Sequence, residues 1–227
     1  MKREIIITSD GSTTIHLPDW NEQYHSKHGA IQEAYHVFIK HGLETCSKPE
    51  ISILEIGFGT GLNAFITFLE SEKHGHKISY DGVEAYPVDL EEVQQLNYVS
   101  ELNATSFQES FDRIHQTPWE ERHEISSNFS LIKRKQFFHE IEDEDQFDLI
   151  YFDAFGARVQ PDLWTEDIFA IMFKAMKEGG VLVTYSAKGS VRRAMQAVGF
   201  EVERLPGPPG KREMLRAVKV ASDIQRS

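Results

Sequence analysis

The sequence predicts a doubly wound α/β domain on a mostly parallel sheet of seven strands, closed by a C-terminal antiparallel hairpin and preceded by a small N-terminal β-hairpin plus helix extension. Three observations lead there. From Ile51 onward, short apolar runs alternate with helically spaced apolar residues; a glycine turn, Gly57 to Gly61, joins the first run to the first helix; and two apolar runs near the carboxyl end flank a Pro-Gly segment. A length of 227 residues suits one core, with 1–47 read as the extension and 48–227 as the α/β domain.

The elements follow in order. Ile5 to Thr8 and Thr13 to Leu17 are β-rich runs around Asp10-Gly11, a strong hairpin signal. Ile31, Ala34, Tyr35, Phe38 and Ile39 repeat with helical period, and Gly42 is placed to end that helix. Ile51 to Ile56 reads as a buried strand, Leu62 to Leu69 as a helix, and Ile78 to Val83 as the second strand. Pro87 opens a helix carrying Leu90, Val93 and Leu96, and a polar stretch then runs through Ser127. Phe129 to Ile132 and Phe147 to Phe152 are two further strands. Thr165 caps a helix whose acids, Glu166 and Asp167, lie at the positive end, with Lys174 and Lys177 at the negative end and Gly179 as its stop. Val181 to Tyr185, a short helix from Ser190 to Val198, and strands Glu201 to Leu205 and Met214 to Val220 complete the chain.

Composition excludes several classes. With 40% hydrophobic and 26% charged residues, global disorder is ruled out. The single Cys46 excludes an internal disulfide and a Cys-rich zinc site, and suits a reducing compartment. Met1 to Trp20 holds no signal-like apolar core, and no apolar run approaches the length of a membrane span, so a cytoplasmic protein without membrane contact is expected. His16, His25, His28, His36 and His41 form no metal-ligand spacing, and no metal is assigned. The net charge of −12 argues against binding nucleic acid through the overall field. Its distribution is uneven: from Gly180 onward nine Lys/Arg face four Asp/Glu.

Chemistry concentrates at strand ends. Glu55-Ile56-Gly57-Phe58-Gly59-Thr60-Gly61 sits where a strand meets a helix, and Glu84 ends the second strand 27 residues after Gly57, where a carboxylate can hold both ribose hydroxyls of an adenosine ligand. By itself the turn also admits a dinucleotide or no ligand. Asp153 closes the strand Phe147 to Phe152 at its carboxyl end, facing the ligand crevice. An acid there can take a proton from an amine nucleophile; capping its own loop or holding a cofactor ammonium are the plainer roles. Phe155 can wall a slot for a planar base or pack in the core, and Trp164 reads as packing.

The register Glu-x-Gly-x-Gly-x-Gly resembles the first motif of the Rossmann-like class I S-adenosylmethionine-dependent methyltransferases. Leu54 to Asn63, Asp153-Ala154-Phe155 followed by Gln160-Pro161-Asp162-Leu163-Trp164-Thr165, Val191-Arg192-Arg193, Gly199-Phe200 and Lys211-Arg212-Glu213-Met214-Leu215 together resemble the MnmD-like family, the methyltransferase half of bifunctional MnmC. Tyr24-His25-Ser26, Gly29-Ala30 and His36-Val37-Phe38 extend the likeness over nearly the whole chain.

What the resemblance implies is methylation, from S-adenosylmethionine, of the 5-aminomethyl nitrogen on a modified (2-thio)uridine at the tRNA wobble position. Glu55, Gly57, Gly59, Thr60, Gly61, Asn63 and Glu84 would hold the donor together with Asp153, which would also face the amine as the catalytic group. Gln136 stands near where an acidic adenine reader is common, so its carbonyl or a neighbour would meet the adenine amino group of the donor. Phe155, Lys188, Arg192, Arg193, Lys211 and Arg212 would meet the tRNA anticodon region, with Arg216 beside them and Lys133, Arg134 and Lys135 as a second patch. No flavin domain is read here, so the oxidase activity of two-domain relatives is expected to be absent, and separate enzymes to install the aminomethyl group. Gly156-Ala157 replaces the Ala-Pro that relatives carry after Asp-Ala-Phe, which predicts a looser loop. A polyamine aminopropyltransferase, which shares the fold but needs a more acidic turn, and a non-catalytic RNA-binding protein are the competing readings.

Overall fold

The computed structural model describes residues 2–220. Its central sheet has eight strands: β4 (Glu50–Ile56), β5 (Lys77–Val83), β6 (Arg122–Ser126), β7 (Phe129–Arg134), β8 (Phe147–Phe152), β9 (Met176–Thr184), β10 (Glu201–Pro206) and β11 (Glu213–Val218). Their spatial order is β10-β11-β9-β8-β4-β5-β7-β6, with β4, β5, β7, β8 and β9 parallel and the terminal hairpin antiparallel. The predicted count of seven is corrected to eight. The added strand, β6, pairs antiparallel with β7 at the sheet edge, and its sequence Arg-His-Glu-Ile-Ser buries only Ile125. An edge strand needs one apolar face at most, so it reads as polar loop.

Two apolar layers cover the sheet, as alternation along each strand requires. On β8, Leu149 and Tyr151 join one cluster with Ala34 and Phe38, with Phe65 and Phe68 of α2 (Leu62–His74), and with Phe111 and Ile114 of α5 (Gln108–Gln116). Ile150 and Phe152 join the other, with Ile168, Phe169 and Met172 of α6 (Glu166–Ala175) and Val191 and Met195 of α7 (Gly189–Ala197). The N-terminal helix α1 (Ala30–Ala34) therefore contributes to the same core as the main sheet. It continues as a π-helical turn over Tyr35–Lys40, which buries three successive residues, Val37, Phe38 and Ile39. The chain opens with the three-stranded sheet β1 (Glu4–Ile7), β2 (Thr13–Leu17) and β3 (Glu22–Gln23).

Two predicted helices are shorter than expected. Instead of one helix from Pro87, the chain forms α3 (Leu90–Val93) and α4 (Tyr98–Glu101). Asp89 opens α3, with the Glu92 side chain returning to its N–H at 3.2 Å, and Asn97 interrupts the run by docking on the N-terminal hairpin. Its Oδ1 accepts from Thr13 N at 2.8 Å and its Nδ2 donates to Gly11 O at 2.9 Å. α6 stops at Ala175 because the carbonyls of Lys174 and Ala175 accept from Asp145 N and Gln146 N at 2.9 and 2.8 Å. Lys177 consequently lies on β9, where its ammonium meets Asp148 at 2.8 Å. No helix of the described residues is long and apolar enough to cross a membrane.

Candidate active site

β4 hands the chain to α2 through the glycine turn. Gly57 N and Phe58 N both donate to Val83 O at 3.0 Å, which binds the turn to the end of β5. Gly57 has φ of 90°, and a Cβ there would lie 2.7 Å from the Asp153 carbonyl oxygen, so only glycine lets the turn approach β8 so closely. Glu84 Oε2 accepts from Gly59 N at 3.0 Å and Oε1 from Tyr86 N at 2.9 Å. Turn and acid thus form one hydrogen-bonded unit. Thr60 turns inward, its hydroxyl accepting from Tyr98 OH at 3.0 Å, and Gly61 packs against the His115 ring.

Beneath the turn two carboxyl groups share one amide. Asn63 Nδ2 donates to Glu55 Oε1 at 2.9 Å and to Asp153 Oδ2 at 2.8 Å, while Tyr80 OH donates to Glu55 Oε2 at 2.8 Å. Glu55 is fully buried, and that burial pushes its carboxyl well above the ordinary carboxylate range. Asp153 stands at the carboxyl end of β8 and lines the cleft. Burial first, then the charge of Glu33, push its carboxyl up to about 7, against the opposing effects of the Asn63 bond and the Lys211 charge. Asn63 Oδ1 is buried with no donor among the described residues. A buried acceptor without a partner costs about 1–3 kcal/mol, so a ligand bearing N–H groups fits beside Asp153. The ammonium end of an amino-acid-bearing nucleoside meets that requirement, and Glu84 with the glycine turn suits its ribose.

The cleft encloses about 1310 Å³. That exceeds the roughly 300–1,000 Å³ usual for one small ligand, leaving room for a second. Of the predicted residues, Gly57, Gly59, Glu84, Asp153, Phe155 and Lys211 line it. Phe155 is met edge-on by Tyr24 and Trp20, with ring centroids at 4.9 and 5.7 Å, giving an aromatic group on one wall. Sequence reasoning gave no site role to Trp20, Tyr24, Glu33 or Tyr185, all of which line the cleft. For Glu33 a signal was present, since it falls on the apolar face of the first helix between Ala30 and Val37. The loop after Asp153 is tied down despite Gly156-Ala157: Trp164 Nε1 donates to Phe155 O at 2.7 Å, Tyr185 OH to Ala154 O at 2.8 Å, and Arg158 Nη2 to Glu22 at 3.0 Å. Trp164 is buried, as its packing role requires.

Other predicted residues lie apart. Gln136 does not line the cleft, and its carbonyl accepts from Arg134 Nε at 3.0 Å. Tyr86 and Phe137 line the cleft instead, their rings meeting edge-on with centroids 6.0 Å apart. Lys188, Arg193 and Arg212 are exposed away from the cleft lining, whereas Arg192 is half-buried with its Nε unpartnered among the described residues. Arg216 is spent on Glu203 at 2.6 Å. The second basic patch dissolves: Lys133 is buried over the Trp119 ring and donates to His115 O at 2.5 Å, and Arg134 pairs with Asp143 at 2.8 Å. Alternation on β7 turns Lys133 inward, leaving only Lys135 at the cleft.

The sequence profile of a family described as S-adenosyl-L-methionine-dependent methyltransferase matches residues 94–220. The chain belongs to that family. The methyltransferase is 28% identical over 223 residues to the tRNA 5-methylaminomethyl-2-thiouridine biosynthesis bifunctional protein MnmC of Delftia acidovorans, which covers 90% of this chain and 33% of that protein. The MnmC of Aromatoleum aromaticum is 29% identical over 209 residues, covering 87% of this chain and 32% of the relative. The chain therefore spans about a third of the length of the curated relatives it matches. Among solved structures, MnmC2 from Aquifex aeolicus superimposes with a TM-score of 0.76 at 26% identity, over 97% of this chain and 72% of that one. The MnmD-like resemblance carried by the motifs holds against these relatives. A spermidine synthase in complex with the analogue AdoDATO, at TM-score 0.60 and 14% identity over 95% of this chain and 68% of that one, shares the methyltransferase's fold and nothing finer.

Proposed function

We propose that this methyltransferase transfers a methyl group from S-adenosylmethionine to the nitrogen of a 5-aminomethyl group on a wobble (2-thio)uridine in tRNA, giving 5-methylaminomethyl-(2-thio)uridine. One observation carries the reading: Asp153, a carboxyl group with pKa about 7, lies between the glycine turn and the aromatic wall of a cleft roomy enough for two ligands. The MnmC names of the relatives give the substrate class.

When bound, the donor supplies a methyl group on a positively charged sulfur. Gly57, Gly59 and Glu84 are the residues assigned to its nucleoside, Asp153 and the orphan carbonyl of Asn63 to its ammonium end, and Tyr86 and Phe137, rather than Gln136, to its adenine. Glu55, Thr60 and Gly61 support that cradle from beneath. An amine attacks only as the free base, and Asp153 accepts the proton that the amine releases. In the free protein the Asp153 carboxyl is pushed up to about 7, and the cationic end of a bound donor favours its ionised, proton-accepting form. Asn63 fixes the carboxylate's orientation through its 2.8 Å bond. Phe155, Trp20 and Tyr24 present aromatic faces and edges to a flipped-out uracil, the way single-stranded RNA bases are held. Lys188, Arg193 and Arg212 supply phosphate contacts around the anticodon loop.

The test is direct. Purified protein with S-adenosylmethionine and tRNA bearing 5-aminomethyluridine at the wobble position is expected to yield 5-methylaminomethyluridine on nucleoside mass analysis, and an unmethylated wobble nucleoside overturns the reading. The kcat/KM, which reports groups of the free protein, is expected to fall about tenfold per pH unit below about 7, as the acceptor is protonated.

A further inference from the structure

The Lys211 ammonium lines the cleft and its charge acts on Asp153. Its Nζ lies 2.6 Å from Glu33 Oε2 and 4.0 Å from the centre of the Tyr185 ring. Glu33, Tyr185 and Lys211 all line the same cleft as Asp153. A primary ammonium on a methylene stem, gripped by a carboxylate and set on an aromatic face, has the chemistry of an aminomethyl substituent. We infer that Glu33 and Tyr185 form the seat for the substrate's ammonium, and that Lys211 fills this seat until the substrate displaces it. The inference rests on the amine-methylation reading above.

The seat is built to stay when Lys211 leaves. Glu33 Oε1 independently accepts from Ser26 N at 3.1 Å, and Tyr185 OH is tied to Ala154 O at 2.8 Å, one residue beyond Asp153. The loop bearing Lys211 is closed by its own backbone bonds, Lys211 N to Pro208 O at 2.9 Å and Gly207 N to Arg212 O at 3.1 Å, so release of Nζ leaves its course intact. Exposure is asymmetric: the Lys211 side chain is 32% accessible and Glu33 only 9%. A carboxylate that buried gains from a cationic partner, and the lysine, which reaches solvent, can trade its place. The exchange of one ammonium for another keeps the charge of the cleft constant. The charges of Glu33 and Lys211 both act on Asp153, which places seat and proton acceptor within one electrostatic neighbourhood.

Anticodon stem-loops carrying 5-aminomethyluridine, or the neutral 5-hydroxymethyluridine at the same position, separate this seat from a plain structural ion pair. Their dissociation constants are measured by fluorescence anisotropy against the full chain. Wild-type protein is expected to prefer the aminomethyl form at least about tenfold, the scale of a charge-assisted bond. Glu33→Gln keeps an acceptor for Ser26 N and is expected to lose that preference. Lys211→Met is expected to bind the aminomethyl form several-fold more tightly while leaving the hydroxymethyl form unchanged. A Glu33→Gln protein that retains the preference, or a Lys211→Met protein that binds the amine no better, overturns the inference. Lys211→Met leaves the backbone bonds that close its loop in place and remains decisive if Glu33→Gln fails to fold. Wild-type protein that binds neither stem-loop and methylates no tRNA refutes the amine-methylation reading instead.

Discussion

Replacing Asp153 with Asn should make the protein more stable and nearly inactive at once. The substitution keeps an oxygen for the Asn63 amide, which donates at 2.8 Å, and removes only the titrating charge. In the folded chain the carboxyl sits at about 7, pushed up by burial and by Glu33, against about 3.9 for an unperturbed aspartate. A carboxyl raised on folding holds its proton more tightly in the native state, so the stability it contributes is present below pH about 4 and lost as pH rises through about 7. Three pH units correspond to about 4 kcal/mol, and opening of the group toward the cleft roughly halves that to about 2 kcal/mol. For a chain of this length, about 2 kcal/mol is a rise in melting temperature of roughly 4–8 °C. Thermal melts of Asp153→Asn and wild type should therefore coincide at pH 4 and separate by that amount at pH 8. Turnover on hypomodified tRNA should fall at least about a hundredfold, the scale of a positioned proton acceptor. Coincident melts at pH 8 would refute the buried-charge argument, and near-normal turnover would remove Asp153 from the chemistry.

Three further outcomes follow from other parts of the molecule. Gly59→Arg should abolish S-adenosylmethionine binding by calorimetry in a protein with an unchanged circular dichroism spectrum, because Gly59 has φ of 51° and its Cβ position lies 3.0 Å from the Tyr24 ring; retained affinity would detach the turn from the donor. Asp148 sits at the opposite end of β8, where burial pushes its carboxyl up but Lys177, Lys48 and Ser52 overcome this and hold it well below the ordinary range. Its stabilisation is thus present above pH about 4 and lost in stronger acid, and Asp148→Asn should cost about 1–3 kcal/mol in urea denaturation at pH 7 while leaving KM for the donor unchanged. Lys188→Ala with Arg193→Ala should weaken tRNA binding and reduce the slope of log K against log salt by roughly one per lost phosphate contact; an unaltered slope would return both to ordinary surface.

How much of this was legible in the sequence depends on how local the cause is. β8 was read residue for residue because Phe147 to Phe152 is buried on both faces, so its apolar run is continuous. β6 and α5 fell inside a stretch read as polar: β6 buries one residue and α5 three, and weakly buried elements carry weak periodicity. The end of α6 was misjudged because its last carbonyls are closed by a loop some thirty residues earlier, at Asp145 and Gln146, which no local signal announces. The glycine turn, Glu84 and Asp153 were legible since each stands at a strand end, where topology alone fixes which way it faces.

The basic residues divide by the same logic. Lys133, Arg134 and Lys135 read as one patch, yet strand alternation sends the first under Trp119 and commits the second to Asp143 and Asp81, so local charge density overstated the surface field. Lys211 looked like a phosphate ligand from its neighbours Arg212 and Arg216, and its inward turn depends on Glu33, far away in sequence on the first helix. A charge placed on an apolar helical face demands a partner of opposite sign, and an unpaired basic residue in a glycine-proline loop is the kind of residue that supplies it. Pairing such residues before assigning either to solvent would have joined the first helix to the terminal hairpin, because Glu33 and Lys211 meet at that junction at 2.6 Å.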